Sequence, residues 1–141
     1  MIKKLTFILT ALAVVLVAGC GNNSSNGTND GDDKAKHKIA YVTNGIDPFW
    51  DLCAAGVRQA ESELGGVECE IHFPTKGLAD QKSIMESLMA KGIAGMAVSP
   101  VDADGQTKFL NEIASQTKLI THDADAPKSE RLVYIGTDNY K

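Results

Sequence analysis

Lys38-Ile39-Ala40-Tyr41-Val42-Thr43-Asn44-Gly45-Ile46-Asp47-Pro48-Phe49-Trp50 holds the change of period from which the fold is read. Lys38 to Thr43 is a short run rich in β-formers, a buried-strand pattern. Asn44 to Pro48 is turn chemistry. From Phe49 the apolar residues Phe49, Leu52, Cys53, Gly56, Val57, Ala60 and Leu64 recur at steps of three and four, one face of a helix that Gly65-Gly66 ends. Beyond it, Val67, Cys69, Ile71 and Phe73 alternate with Glu68, Glu70 and His72, a strand with one wetter face at a sheet edge. Pro74 to Gly77 is a loop, and Ile84, Met85, Leu88 and Met89 make a second helical stripe closed by Gly92. Ala94 to Val98 is a strand of small apolar residues, expected to be central and covered on both faces. Ser99-Pro100-Val101-Asp102 then turns into a third helix carrying Phe109, Leu110, Ile113 and Ala114. Lys118 to Thr121 and Leu132 to Ile135 are two further strands, with a loop from Asp123 to Pro127 between them.

Strands and helices in this alternation predict an α/β fold, a three-layer sandwich with a parallel sheet. Right-handed crossovers favour the strand order 2-1-3-4-5, and ligands bind beyond the carboxyl ends of such strands where the order switches. That switch falls between the first and third strands. Three loops then face the site: Asn44 to Trp50, Ser99 to Asp104 and His122 to Ala126.

The N-terminus gives the location. Lys3 and Lys4 lead into an apolar run from Leu5 to Ala18, too short to span a bilayer comfortably, that ends in Val17-Ala18-Gly19-Cys20. Residues 1–19 read as a signal peptide that resembles the bacterial lipobox pattern, in which Cys20 is lipidated and becomes the mature N-terminus. Buried CH2 groups of the acyl chains, at roughly 0.8 kcal/mol each, would anchor the protein to a membrane. Residues 20–36 carry a run from Gly21 to Asp33 without an apolar side chain and read as a flexible tether. The folded domain is expected over 37–141. The chain has 14 basic and 18 acidic residues, a net charge of -4, and two of the lysines lie in the signal. That balance excludes nucleic acid as a partner, because nucleic acid requires clustered Lys and Arg.

Catalytic signatures are missing. The first loop lacks GxGxxG and GxxxxGK, and Asp47-Pro48 occupies the place where a phosphate needs free backbone N–H groups. GxSxG is absent, and no Ser-His-Asp or Cys-His set emerges. His37, His72 and His122 are scattered, so neither a metal nor a cofactor is expected. Cys53 and Cys69 could pair in an exported protein, but their placement in one helical and one extended element points to two buried thiols.

The site-facing loops hold aromatic and acidic residues: Asp47, Phe49, Trp50, Asp123 and Asp125. A sugar or polyol suits such a set, since its C–H faces stack on aromatic rings and its hydroxyls donate to carboxylates. Each residue also has a plainer reading. Phe49 and Trp50 could pack under the helix, although Trp50 is out of phase with the apolar stripe. Asp47 could cap the helix, Asp123 and Asp125 could brace their loop, Asp102 could cap the third helix, and Ser99 could only close its turn.

Four motifs in order then carry a resemblance. They are Ala40 to Asn44 with Asp47-Pro48-Phe49-Trp50, Val98 to Asp102, Thr121 to Ala126, and Tyr134 to Asn139. The stretch from Lys38 to Tyr140 resembles the N-terminal lobe of type I periplasmic binding proteins, the ribose-binding-protein-like branch that serves sugar ABC transporters. The resemblance implies that Asp47 hydrogen-bonds sugar, that Phe49 and Trp50 stack on its ring, and that Asp123 grips its hydroxyls. Asp125 lies in the same loop. It also places Thr137 and Asp138 at the hinge to a second lobe. The chain stops near that crossing, so a fragment is expected.

Two departures make the site more acidic than a ribose site: Ala124 stands where the pattern has arginine, and Asp47 where it has asparagine. The function expected is that of a non-enzymatic, lipid-anchored receptor passing a sugar-like ligand to an ABC permease. The alternative is a sensor presenting the ligand to a signalling receptor. Sugar-responsive repressors share the lobe, but they carry a helix-turn-helix where this chain has a lipoprotein signal.

Overall fold

The computed structural model describes residues 37–137. Five strands and three helices follow one another: β1 (His37–Val42), α1 (Pro48–Leu64), β2 (Val67–His72), α2 (Gly77–Ala90), β3 (Gly95–Val98), α3 (Thr107–Ala114), β4 (Lys118–His122) and β5 (Tyr134–Ile135). All strands are parallel, in the order β2-β1-β3-β4-β5. The α/β class, the three layers and the 2-1-3-4-5 order read from the sequence are therefore the observed ones. The signal segment 1–19, Cys20, the tether 20–36 and Asp138 lie outside the described residues.

The alternation of side chains along each strand divides the fold into two unequal halves. Ala40, Val42, Met96, Val98 and Leu119 face one way and pack against Met85 and Leu88 of α2 and Leu110 and Ile113 of α3. All of these are buried to within 2% of full closure. At roughly 1.5–3 kcal/mol per large side chain, this face supplies the main hydrophobic stabilisation.

Among the described residues, the helix on the opposite face is α1, which lies against β2. A cavity of about 160 Å3 remains between Ile39, Val57, Leu64 and Cys69. A shallow hollow of about 200 Å3 lies over Ile39, Gly95, Ala97 and Ile120. β3 is central, as expected, but it is closed on one side only: Gly95 and Ala97 are half-buried.

The expected apolar stripe of α1 is a second correction. Leu52 and Leu64 are 75% and 69% exposed. Of the expected stripe, Cys53 and Val57 are turned inward, and they are joined there by Trp50, Ala54 and Glu61. They too follow three-and-four spacing, rotated by about one residue. The Trp50 ring sets the rotation by packing edge-on to Tyr41 at 6.4 Å and to His122 at 5.6 Å. Glu61 completes it by accepting the Cys69 N–H at 3.1 Å. An inward glutamate and an alanine do not register clearly in an apolar pattern, so the stripe visible in the sequence is offset from the buried face. Cys53 and Cys69 are both free thiols, Cys69 buried and Cys53 half-buried.

Candidate functional site

Asp47 is the N-cap of α1. Its carboxylate accepts the Phe49 N–H at 2.8 Å from an extended backbone, and Pro48 sits at the first helical position, where no N–H is needed. The cap turns the first loop so that Phe49, 49% exposed, stands at the surface while Trp50 folds inward. Phe49 meets Trp50 edge-on at 4.9 Å, and Tyr41 stacks on His122 at 4.1 Å. The aromatic pair is thus split: one ring is open to a ligand, and the other, 3% exposed, is the floor beneath it.

His122, the last residue of β4, closes that floor. Burial pushes its ionisation down to about 4, so the imidazole is neutral at pH 7. Its Nε2 is buried without a hydrogen-bond partner. Burial and the neighbouring Cys53 thiol hold the Tyr41 phenol above its ordinary range.

Asp123 follows at once, and it has the left-handed backbone, φ 59°, that other non-glycine residues among those described avoid. Aspartate tolerates this conformation better than most residues, yet it costs energy and so must be held by its surroundings. The holding contacts are clear. The Asp123 N–H donates to the Ile135 carbonyl at 3.0 Å, and the Tyr134 hydroxyl donates to the Asp123 carbonyl at 2.8 Å. The side chain accepts from the Ser99 hydroxyl at 3.2 Å and is otherwise turned to solvent. Ser99, which the sequence offered only as a turn residue, is wholly buried and aims this carboxylate.

Asp125 is placed differently. Its two oxygens take Arg131 Nε at 2.5 Å and Nη2 at 2.7 Å, and one of them also accepts the Thr121 hydroxyl at 2.8 Å. Arg131 holds the Asp125 carboxyl below the usual carboxylate range. The bidentate pair closes the loop 123–131 back onto β4, so Asp125 braces the loop rather than pointing from it. Asp102 is also corrected: it accepts the Gly105 N–H at 3.0 Å and caps that turn, and α3 begins only at Thr107. Thr137 is exposed beyond β5.

The residues that tie these loops together escaped the sequence reading. Gln81 of α2 is fully buried, and its amide N–H groups reach the carbonyls of Thr43 at 2.8 Å and Ser99 at 2.7 Å. The signal was present: Gln81 is in phase with Met85 and Leu88, and a glutamine on a core stripe must find buried partners.

Among the described residues there is no group of three or more His, Cys, Asp or Glu that could hold a metal, and no helix long and apolar enough to cross a membrane. What remains open beyond the strand ends is an aromatic face, Phe49, beside carboxylates, with the floor sealed by Trp50 and His122.

Residues 39–141 match the family model described as periplasmic binding protein domain. The chain belongs to this family. Periplasmic binding proteins of this type work outside the cytoplasm, and several of the solved relatives are described as sugar-binding or ABC-transporter proteins. One is an ABC transporter solute-binding protein from Burkholderia graminis in complex with D-arabinose. It is 29% identical with a TM-score of 0.69, over 76% of this chain and 37% of that one. GanP, a glucose-galactose binding protein from Geobacillus stearothermophilus, is 29% identical with a TM-score of 0.69, over 76% of this chain and 39% of that one. XylFII in complex with LytSN is 26% identical with a TM-score of 0.67, over 74% of this chain and 39% of that one. The chain thus spans less than two fifths of the length of these relatives. No curated protein sequence matches it. The shared part is the N-terminal lobe of the periplasmic binding protein fold.

Proposed function

We propose that this protein is a lipid-anchored, extracytoplasmic receptor that captures a sugar or sugar-like ligand and delivers it, chemically unchanged, to an ABC permease. The observation that carries the reading is Asp123. Its strained backbone, its grip by Tyr134 and Ile135 and its Ser99 contact leave one carboxylate held rigidly and open at the topological switch point. Vicinal hydroxyls donating to that carboxylate, with a sugar ring against Phe49, fit the arrangement. Asp47 lies beside Phe49 and adds an exposed carboxylate at the rim. Trp50 contributes by backing the Phe49 ring, and Asp125 by bracing the loop. Thr137 and Asp138 are assigned to the hinge, residues 1–19 to the signal peptide, and Cys20 to lipidation.

Calorimetric titration with D-arabinose, D-glucose and D-galactose tests the reading. Binding of at least one sugar is expected, and Asp123→Ala should weaken it about 10- to 100-fold, the worth of hydrogen bonds to a charged group. Absence of binding to all three, or an affinity indifferent to Asp123→Ala, overturns it. For the anchor, Cys20→Ser should move the protein from the membrane fraction to the soluble fraction of the producing cells. An unchanged distribution would remove the lipid from the proposal.

A second reading, a sensor that presents bound sugar to a signalling receptor, is favoured by one observation: a solved relative was captured in complex with a second protein, LytSN. Co-purification from membranes separates the two, since a permease supports delivery and a receptor supports sensing.

A further inference from the structure

Two glutamines begin the inward stripes of two helices, Gln81 within α2 and Gln106 at the residue that precedes α3. Gln81, Met85 and Leu88 are the buried residues of α2, and Gln106, Leu110 and Ile113 repeat the same spacing at the start of α3. Each glutamine begins an otherwise apolar stripe at the end nearer the site loops. Placing two primary amides in a core is unfavourable unless every donor and acceptor is answered.

Here both donors and the acceptor of Gln81, and the acceptor and one donor of Gln106, are answered by the other glutamine and by the loops. β1 and β3 pair up to Val42 and Val98. One step further on, the chains diverge, and the Gln81 Nε2 group donates to both carbonyls at the point of separation, Thr43 and Ser99. Gln81 Oε1 accepts the Val101 N–H at 3.3 Å and Gln106 Nε2 at 2.9 Å. Gln106 Oε1 in turn accepts the Asp102 N–H at 2.9 Å. The chain of amides runs from the first loop, through both helices, to the loop after β3. Ser99 then passes the position on to the Asp123 carboxylate.

We propose that Gln81 and Gln106 form a buried amide relay that fixes the separation of the ligand loops and so positions Phe49 and Asp123 before ligand arrives. Neither glutamine touches ligand; both are positioning residues. The proposal rests on the receptor reading for its consequence in binding, but not for its consequence in loop order. Apolar packing alone sets distance poorly at a point where two strands part. A planar amide with two donors and one acceptor sets it sharply, and a second amide orients the first. Preorganising the loops removes an ordering cost from binding.

The test compares Gln81→Met, which keeps length and apolar volume but removes the amide, with Leu88→Ala, which injures the same helix without touching the loops. Amide hydrogen exchange of the ligand-free full chain is read at residues 44–47 and 99–102. Gln81→Met should speed exchange there by about tenfold or more relative to the core strands, whereas Leu88→Ala should not single out those loops. The affinity for whichever of D-arabinose, D-glucose or D-galactose binds should fall about tenfold in Gln81→Met and stay within about twofold in Leu88→Ala. Gln106→Met, which leaves the two carbonyl contacts of Gln81 in place, should give the same pattern at smaller amplitude and serves if Gln81→Met does not fold. Loop exchange equal in the glutamine variant and the leucine control overturns the relay. If the wild-type protein binds none of the sugars, the receptor reading falls, and the exchange comparison still decides the relay.

Discussion

The two faces of the sheet are built from the same strands by opposite means. Towards α2 and α3, apolar side chains interlock with almost no exposure, and the long polar side chains buried among them are two glutamines bonded to each other. Towards α1, one helix covers a sheet that needs more, cavities remain, and the closest packing is an aromatic cluster of Tyr41, Trp50 and His122 gathered at the site end. The first face carries stability, and the second carries the floor of the candidate site. A residue of the same type is therefore expected to matter very differently on the two sides.

The largest effect should come from the closed face. Leu110→Ala is expected to cost about 2–5 kcal/mol in urea unfolding, since a wholly buried leucine leaves a cavity that its neighbours cannot fill. A loss below about 1 kcal/mol would break the contrast at its root.

The next test asks whether the cluster on the other face is truly closed around His122. Its folded ionisation is depressed to about 4 from the ordinary 6.5, so the unfolded chain binds the extra proton between those values. Stability should be complete above about pH 6.5 and fall as pH drops towards 4, by roughly 3 kcal/mol over that window. Replacing His122 with Phe, which preserves a ring on Tyr41, should flatten that limb. Parallel acid limbs in wild type and variant would mean that the imidazole is hydrated after all.

A smaller effect belongs to the loop that joins the two faces. Arg131→Ala leaves Asp125 without its bidentate partner at a half-buried position and should lower stability by about 1–2 kcal/mol. It should also raise exchange across residues 123–131. An unchanged loop would show that Thr121 alone suffices to hold Asp125.

Smallest of all, Leu52→Ser should change thermal stability by no more than about 0.5 kcal/mol, although Leu52 stands on the apolar stripe that the sequence displays. A loss of 2 kcal/mol or more would mean that the helix is turned as the stripe suggested and not as Trp50 turns it.

Much of this architecture could be read in advance. Five β-rich runs, the first four separated by helical spacing, dictated a parallel sheet, because covalent connection and right-handed crossover leave few alternatives. The strand order placed the switch point, and with it the loops of Asp47, Ser99 and Asp123. What periodicity misjudged is instructive. In α1 it counted Leu52 and Leu64 as inward because they are apolar. The helix is turned instead by the one bulky ring that finds Tyr41 and His122 across space. In α2 and α3 it passed over Gln81 and Gln106 because they are polar, although their phase marked them as core.

Among the candidate ligand residues the same division holds. The chain alone established that carboxylates and aromatic rings gather at the strand ends, since composition and element order are local properties carried along the backbone. It could not say which carboxylate is free. Asp47 caps α1, Asp125 is held by Arg131, and Asp123 is left open beside Ser99. Each outcome depends on a donor within 3.2 Å, and for Asp123 that donor comes from the loop after β3. A hydrogen bond is settled by distance and angle in space, so only the folded chain could decide which acid is left to meet a ligand.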